Sequence, residues 1–461
     1  MTDFAPLLLA DREQLARTIH LVDKDGFPDW LKQQPQRVRT AIDAQRFKAE
    51  GYELAILPSD DVDDWSVVLG VANVAELSPW CLAKAGGKLP EGSYRLASGD
   101  PGPAALGWLL AQHRFDRYQS DPDPRPKAVL LSSNPAMIDA HVRMTEAVAL
   151  ARDLIDTPAA DMGPAELAGA VEAISRELGG EVSITQGEAL DAFPMIAAVG
   201  RAAARDRGPR LIEFHWGDPS HPRIAIIGKG VCFDSGGLDL KPSSAMLWMK
   251  KDMGGAAHAI ALCRLIVSMR LPIRLHLLIP AVENAVSGNA FRPGDILRSR
   301  KGITVEIGNT DAEGRLILAD ALTKAVEEEP AMIIDFATLT GAARVALGPD
   351  LPALFSNSDS LVADLQTAAT SVDDPLWRLP LWKPYAEMLK STAADVNNAG
   401  EGGMAGAITA ALFLDKFVPD HIAWAHIDTF AWRSSAKPGR PKGGDALGLR
   451  AVFEMIFRRY S

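Results

Sequence analysis

The sequence predicts an α/β protein with a small N-terminal α/β domain and a larger C-terminal domain, in which helices cover both faces of a mixed, mostly parallel sheet. Three observations support this fold class. Strand-like runs alternate with helical stretches along the chain. From residue 160 onward these runs are almost continuously apolar, as is typical of parallel strands buried on both faces. The chain has 461 residues, 47% of them hydrophobic, which is enough for two unequal domains.

The first 135 residues predict the small domain. Its elements are, in order, ELAILPS (53–59), WSVVLGVA (65–72), YRLAS (94–98), the helical AALGWLLAQH (104–113) and AVLLSS (128–133). Clustered aspartates at 60, 61, 63 and 64 indicate a solvated loop. Residues 118–127 have the composition of a linker, but AVLLSS follows at once and completes the first sheet. We therefore expect a domain over 1–135, a connecting helix over 136–159 and a second domain over 160–461.

The second domain begins with a helix over 164–176. Pro164 and Glu166 lie in its first turn, and Leu167, Val171 and Ile174 share one face. The elements that follow are LIEFHW (211–216), RIAIIG (223–228), a helix near 254–268, IRLHLLIPAV (273–282), a helix near 316–328, AMIIDFATL (331–339), a helix near 404–416 and HIAWAHID (421–428). In sheets of this kind ligands bind beyond the carboxyl ends of the strands.

The amino-acid composition disfavours several classes of binding partner and of metal site. Lys and Arg total 48 against 59 Asp and Glu, and the formal charge of −11 disfavours general attraction to nucleic acid or anionic lipid. The three cysteines include no Cys-x-x-Cys pair, so neither a disulfide framework nor a thiolate zinc site is supported. The apolar run near the N-terminus is far shorter than the ~18 residues of a membrane span. We therefore expect a cytoplasmic protein with no export signal and no membrane partner.

Charged residues concentrate in a glycine-rich segment after the strand RIAIIG. Residues 226–259 place Lys229, Asp234, Lys241 and Asp252 in loops that end at the start of a helix. Carboxylates suit Mg²⁺, Mn²⁺ or Zn²⁺, and two ions ~3.5–4 Å apart need carboxylates that bridge them. Ligation by Lys229 requires a neutral amine, which burial and nearby dications favour by lowering its pKa.

A second charged segment, residues 308–322, precedes a helix. It carries Asp311, Glu313 and Arg315 at alternate positions, and in an extended segment this spacing puts the three side chains on one face. Each residue also suits a structural role, Asp311 as a helix N-cap, Glu313 as a first-turn charge and Arg315 as an ion-pair partner. Residue types alone leave both interpretations open.

Other catalytic motifs are incomplete. The GKG at 228–230 lacks the upstream glycine and the Ser or Thr of a phosphate-binding loop, and FDSGG lacks the first glycine of a nucleophile elbow. Neither Ser235 nor Cys232 has a histidine partner nearby in sequence. These absences disfavour phosphate-loop and nucleophilic chemistry.

The two charged segments resemble the leucyl aminopeptidase (cytosol aminopeptidase) family. NTDAEGRLILADAL (309–322) is similar to the family signature NTDAEGRL, and GKGVCFDSGGLDLKP with MKKDMGGAA resembles its other metal-binding segment. DFATLTGA and GGMAGAITAALFL resemble further blocks. The similarity runs in order from about residue 150 to the C-terminus, which implies that 160–461 is a catalytic metallopeptidase domain. The first 135 residues carry no matching motif.

The resemblance implies two divalent metal ions, Zn²⁺ or Mn²⁺. Lys229, Asp234, Asp252 and Glu313 would hold the tighter ion. Asp234, Asp311 and Glu313 would hold the more exchangeable one, so that Asp234 and Glu313 would bridge the pair. A water activated by the two metals would then attack the first peptide bond.

The resemblance also implies roles for residues that do not bind metal. Lys241 would polarise the scissile carbonyl, and Arg315 with Leu339 would hold a bicarbonate ion that acts as a general base. The residues implied to bind the substrate are Asn309, Met249, Thr338 and Gly341. Residues 426–453 depart from the family pattern, which leaves the preferred substrate side chain open.

These features predict a metal-dependent aminopeptidase that releases N-terminal residues from peptides, in a homohexamer as the family implies. One alternative is a DNA-binding or regulatory family member with weak or vestigial peptidase activity, which the negative charge disfavours. A dinuclear phosphohydrolase would use similar carboxylates, but it gains nothing from a lysine ligand or from a carboxylate that recognises an amine.

Overall fold

A computed structural model describes residues 2–61, 64–122 and 127–461. The chain divides into two compact units, Met1–Ala149 with Ser434–Lys442, and Leu150–Arg433 with Gly443–Ser461. The boundaries at 135 and 160 expected from the sequence stay predictions. Residues 62–63 and 123–126, parts of the acidic loop and of the linker-like segment, lie outside the described residues.

The first unit contains a six-stranded sheet. Its strands are β1 (Leu8–Ala10), β2 (Arg17–Val22), β3 (Leu54–Pro58), β4 (Trp65–Gly70), β5 (Gly92–Leu96) and β6 (Ala128–Ser132), in the order β1-β6-β5-β2-β4-β3. Only the β3–β4 pairing among these is antiparallel. The helices are α1 (Phe27–Lys32), α2 (Gln36–Ala44), α3 (Ala83–Lys88), α4 (Ala104–Leu110) and most of α5 (Ile138–Asp156).

The second unit is larger and alternates strands with helices. Its strands are β7 (Glu181–Gln186), β8 (Arg210–Trp216), β9 (Arg223–Gly228), β10 (Gly230–Asp234), β11 (Arg274–Asn284), β12 (Ile296–Arg298), β13 (Thr304–Glu306), β14 (Met332–Ala337), β15 (Ala353–Ser356), β16 (Trp377–Arg378), β17 (Val396–Asn397), β18 (Ala423–Asp428), β19 (Trp432–Arg433) and β20 (Gly443–Gly444). Its helices are α6 (Pro164–Leu178), α7 (Pro194–Gly200), α8 (Ser243–Met246), α9 (Gly254–Ser268), α10 (Glu313–Val326), α11 (Gly341–Leu347), α12 (Asp359–Ser371), α13 (Gly406–Asp415) and α14 (Leu449–Tyr460).

The main sheet of this unit has nine strands in the order β16-β15-β18-β14-β9-β11-β8-β7, with β10 paired to β11. The central strands are parallel, whereas β7, β8 and β15 pair antiparallel. Helices α6, α9, α12 and α14 pack on one face, and α7, α10 and α13 pack on the other. This arrangement confirms the predicted mixed sheet covered on both faces.

The strand order contains a switch point at the centre of the sheet. From β9 the chain passes through α9 to β11 on one side, and after α10 it returns to β14 on the other side of β9. The segments that follow β9 and β14 therefore lead away from each other, which leaves a crevice at the carboxyl ends of these two strands. The two charged segments identified in the sequence border this crevice.

Several element boundaries follow from local chemistry. Helix α6 begins at Pro164, and the Glu166 carboxylate accepts the N–H of Gly163 at 2.9 Å, as a helix start requires. Leu167, Val171 and Ile174 are buried on one face, as predicted.

Strand β10 differs from the prediction, which placed the glycine-rich segment after β9 in loops. Its pairing with β11 supplies order that its own composition does not indicate. Within the described residues, no helix has the combination of length and hydrophobicity that a bilayer span requires.

Candidate metal centre

Lys229 lies directly after β9, at the switch point. Its backbone N–H donates to the carbonyl of Phe336 in β14 at 3.0 Å, and its carbonyl accepts from Ala256 at the start of α9 at 2.8 Å. A Cβ on Gly255 would lie 2.1 Å from the Phe336 carbonyl, so only glycine lets α9 begin this close to β14. The Lys229 amine donates to the carbonyl of Thr338 at 3.0 Å. Backbone contacts on every side thus fix this lysine in a buried position.

Two buried carboxylates meet the Lys229 amine. Its Nζ lies 2.7 Å from Asp252 Oδ2 and 3.0 Å from Glu313 Oε1. The Thr338 hydroxyl donates to Asp252 Oδ1 at 2.7 Å and so orients this carboxylate. Asp252 belongs to the short 3₁₀ turn before α9, and Glu313 is the first residue of α10. Segments far apart in sequence therefore supply one compact charged cluster.

Lys241 joins two further carboxylates to the cluster. Its Nζ lies 2.8 Å from Asp234 Oδ2, at the end of β10, and also contacts Asp311 Oδ1. Asp234 Oδ1 accepts from the Asn284 side chain at 2.9 Å and from the Gly236 N–H at 2.9 Å. The structure thus brings together all five residues that the sequence resemblance implies as metal ligands, with Lys241 beside them.

The burial of like charges shifts several pKa values. Burial, reinforced by the charge of Asp234, raises the pKa of Glu313 to about 8 and that of Asp311 to about 6. For Lys229 burial opposes the charged form, but the carboxylates of Asp252 and Glu313 outweigh it and raise the pKa above its ordinary value. The carboxylates repel one another enough that cations must compensate them.

The donor set fits divalent cations. One carboxylate oxygen from each of Asp234, Asp252 and Glu313 lies within 4.8 Å of the others, and all three residues are buried. Glu313 Oε2 is buried and has no hydrogen-bond partner. A buried carboxylate oxygen without a partner is costly, and cation binding would remove that cost. Each carboxylate retains a second oxygen, so these residues have the capacity to bridge two ions.

Residues 311–315 do not form the extended segment that the sequence predicted. The extended spacing predicted that Asp311, Glu313 and Arg315 share one face, but α10 already begins at Glu313. In a helix, residues two apart point in different directions. Glu313 therefore meets Lys229, whereas Arg315 Nη1 donates to the carbonyl of Asn398 at 2.6 Å.

Arg315 remains a buried cation near the cluster. Burial lowers its pKa to about 10, and its Nε is buried and has no hydrogen-bond partner. The backbone N–H of Leu339, the other residue implied in bicarbonate binding, donates to Asp428 Oδ1 at 3.0 Å. The Arg315 Nε–H could therefore donate a hydrogen bond to a bound anion, whereas the Leu339 N–H already donates to Asp428.

A cavity of about 260 Å³ opens beside the carboxylates. Met249, Thr338 and Gly341 line it together with Lys229, Lys241 and the acidic cluster. Asn309 is not among the described residues that line the cavity. Its side chain accepts the Asp311 N–H at 2.7 Å and so supports the turn that presents Asp311.

The cavity also contains basic and aromatic residues that sequence reasoning missed. Lys251 is buried, and its amine lies 5.2 Å from the ring centre of Phe430 and 4.0 Å from Asp252 Oδ1. Burial lowers the pKa of Lys251 to about 8. The guanidinium of Arg344 lies 4.8 Å from the same ring. The only sequence signal was the position of Lys251 next to Asp252, and Phe430 belongs to the segment 426–453 that departs from the family pattern.

Known proteins resemble the chain over both units. The model of the cytosol aminopeptidase family catalytic domain matches residues 149–453, and that of the M17 aminopeptidase N-terminal domain matches 18–131. A probable cytosol aminopeptidase of Syntrophotalea carbinolica is 42% identical over 368 residues, covering 76% of this chain and 73% of the relative. The crystal structure of cytosol aminopeptidase from Coxiella burnetii is 45% identical, with a TM-score of 0.92, over 99% of this chain and 100% of that one. The bottromycin maturation enzyme BotP in complex with Mn is 29% identical, with a TM-score of 0.87, over 96% and 100%.

Proposed function

The chain belongs to the cytosol aminopeptidase family, M17, and is an aminopeptidase; we propose that the cluster of Asp234, Asp252, Asp311 and Glu313 around Lys229 is its dinuclear metal centre. The observation that carries this proposal is the convergence of buried carboxylates, with Glu313 Oε2 unpartnered, at the carboxyl ends of β9 and β14. Metal dependence fits the donor chemistry, and the Mn complex of a structural neighbour is consistent with it.

The ligand assignment is the one that the family resemblance implies. Lys229, Asp234, Asp252 and Glu313 would hold the tighter ion, and the burial of all four is consistent with this. Asp311, which is partly exposed, would share Asp234 and Glu313 in holding the more exchangeable ion. We propose Zn²⁺ or Mn²⁺ as the native ions, since both suit oxygen donors with one nitrogen. Lys229 would then act as the neutral amine, a form that nearby dications favour.

The chain's own groups account for substrate orientation and charge stabilisation. When bound, two dications acidify a water and polarise the peptide carbonyl. The Lys241 ammonium lines the cavity next to Asp234, where it can donate to the carbonyl oxygen as negative charge develops on it. The negative charge of Asp252 at the cavity wall would attract the free α-amine of the substrate, with Asn309 supporting the neighbouring turn. A free N-terminus is therefore the feature that the site selects.

A general base is assigned to an anion held by Arg315. We propose bicarbonate, because it would supply a base that exchanges a proton near neutral pH, and because Arg315 Nε is a buried donor without a partner. Leu339 would contribute its N–H only if that group left Asp428. The proposal therefore depends chiefly on Arg315, and omission of bicarbonate from the assay tests it.

Met249, Thr338 and Gly341 are proposed to contact the first substrate side chain, since they line the cavity. We also propose a cytoplasmic location, in keeping with the name of the relatives and with three buried, free cysteines. The homohexamer is proposed on the family resemblance alone. The DNA-binding alternative gains no support from the site, because the ligand set is complete. A mobility shift with duplex DNA at physiological salt tests that alternative, and tight binding there would revive it.

The experiment compares three substrates and two variants. Purified enzyme with Mn²⁺ or Zn²⁺ is assayed on leucine amide, on its N-acetylated form and on an aryl phosphate. We expect cleavage of only the free-amine substrate. Glu313→Gln should lower kcat/KM at least 10²-fold, whereas Glu327→Gln, which removes an exposed carboxylate just beyond the same helix, should change it little. Near wild-type turnover by metal-saturated Glu313→Gln would refute the bridging role.

A further inference from the structure

A second cluster of metal-binding residue types lies away from the peptidase site. It contains Glu213 and His215 of β8, His276 of β11, and Glu328, two residues beyond α10. One potential ligand atom from each residue lies within 4.8 Å of the others. His276 and Asn284 lie near opposite ends of β11, and eight residues of strand separate them by ~26 Å. The cluster is thus remote from Asp234, whose carboxylate accepts a hydrogen bond from the Asn284 side chain.

The antiparallel pairing of β8 with β11 creates this cluster. The register places His215 directly opposite His276, so their side chains lie on the same face of the sheet. Their ring centroids are 4.1 Å apart and the planes are inclined by 22°. Glu213, two residues before His215 in the strand, points to the same face. Glu328 comes from the end of the α10 segment and covers the pair.

The contacts of His276 orient its ring. Its Nε2 lies 3.0 Å from Glu213 Oε2, and its Nδ1 lies 3.7 Å from Glu328 Oε2. The side chain is only 1% exposed, and Nδ1 is buried without a hydrogen-bond partner. A carboxylate that accepts the N–H of one ring nitrogen leaves the other nitrogen as a metal ligand, which is the usual arrangement of a histidine bound to zinc.

We propose that His215, His276 and Glu328 bind a third divalent cation of the zinc class, with Glu213 orienting the His276 ring. Zinc takes two imidazoles and a carboxylate at about 2.0–2.2 Å and adds a water as a fourth ligand. The ligand atoms then need to lie roughly 3.3–3.5 Å apart in tetrahedral geometry. The two rings are stacked at present, so at least one of them must rotate before both ring nitrogens can point at the same ion.

Two basic side chains beside Glu328 affect which metal ion the site would prefer. Glu328 Oε2 lies 3.3 Å from Arg223 Nη1, and Oε1 lies 3.5 Å from Lys324 Nζ. These groups partly neutralise Glu328, so the two imidazoles must supply most of the affinity. Imidazole ligation favours Zn²⁺, Co²⁺ or Ni²⁺ over Mn²⁺ and Mg²⁺. The bound ion would cross-link β8, β11 and the end of α10, so metal binding would stabilise this part of the fold.

The experiment measures zinc content in the full-length chain. Wild-type protein and Glu313→Gln are stripped with a chelator, reloaded with excess Zn²⁺, desalted and analysed by mass spectrometry for metal per chain. His215→Gln is introduced into both backgrounds because His215 is half-buried and not part of the peptidase site. His221→Gln, a half-buried histidine in the loop after β8, is the matched control.

We expect His215→Gln to lose one zinc equivalent per chain in both backgrounds, and His221→Gln to lose none. Zn²⁺ should also raise the melting temperature of Glu313→Gln but raise that of the double variant less. Unchanged zinc content on His215→Gln in either background would overturn the third site. Glu328→Gln serves as a second ligand variant, and its retention of the full zinc content would overturn the site equally. Peptidase activity of His215→Gln reports separately on the peptidase centre and should match wild type.

Discussion

The position of Gly314 predicts how strictly the peptidase site depends on Lys229. Gly314 is the second residue of α10 and packs against the lysine side chain. A Cβ at this position would lie 2.6 Å from Lys229 Cε, 2.7 Å from Nζ and 2.8 Å from Cδ. Ordinary contacts begin near 3.4 Å, so Gly314→Ala must displace the end of Lys229 by about 0.6–0.8 Å.

The expected effects on stability and on activity differ in size. Overpacking a buried site costs about 1–3 kcal/mol, while replacing glycine by alanine within a helix returns up to ~1 kcal/mol. The free energy of unfolding should therefore fall by no more than about 3 kcal/mol. Displacement of a positioned group by nearly 1 Å can cost about 10²-fold in rate. We therefore expect kcat/KM for leucine amide to fall by about 10- to 100-fold, with a loss of tightly bound metal.

The assay measures kcat/KM, metal content after desalting, and urea unfolding on the same preparations. Gly169→Ala is the matched control, because Gly169 lies within helix α6 and a Cβ there would meet nothing within 4 Å. It should leave activity unchanged and raise stability slightly. If Gly314→Ala kept wild-type kcat/KM and wild-type metal content, the position of Lys229 would not matter and its role as a ligand would be wrong.

Three further predictions concern the same site. In metal-free protein the pKa of Glu313 is raised to about 8 and that of Asp311 to about 6, so protons compete with metal as the pH falls. Glu313 and the Lys229 ammonium must each lose a proton when the metal binds, so affinity for Mn²⁺ should drop about 100-fold per pH unit from 8 to 6 and more steeply below 6. An affinity that does not change with pH in a calorimetric titration would contradict this. Lys251→Met removes a buried cation from the cavity, so it should lower kcat/KM roughly tenfold more for peptides with an acidic residue beside the scissile bond than for leucine peptides. The control, Lys250→Met, should affect both kinds of peptide equally. Equal losses on both peptides with Lys251→Met would exclude a role in charge selection. Asn284→Ala should weaken metal binding about tenfold, because the Asn284 amide orients the Asp234 carboxylate, and its kcat should equal that of wild type once metal is saturating. A kcat that stays low at saturating metal would argue against that role.

Elements with strong periodicity were predictable from the sequence. Helix α9 spans Gly254–Ser268, the range expected from its apolar pattern, and the central apolar strands lie in the predicted parallel sheet. The family and the aminopeptidase activity were predicted as well. These features depend on local hydrophobic patterning or on long motifs, so a single sequence contains enough information for them.

Features fixed by distant contacts were not predictable. Ala312 before α10 has no side-chain cap, and Glu313 instead meets Lys229, 84 positions earlier in the chain. The start of α10 was therefore placed too late. The burial of Lys251 depends in the same way on Phe430. No local pattern encodes contacts of this kind.

The excursion of residues 434–442 into the first unit has a topological consequence. The chain passes between the two units at 149–150, at 433–434 and at 442–443, so three backbone segments join them. A protease that cuts at 149–150 therefore produces two fragments with no covalent link, and only the packing of residues 434–442 within the first unit holds them together. Dividing the protein at a single site near residue 150 would leave the nine-residue excursion on the fragment that lacks its packing partners, including the ring of Trp80 beside Arg440. A separable version of either unit requires two edits to the gene, the cut itself and a short bridge that closes 433 onto 443.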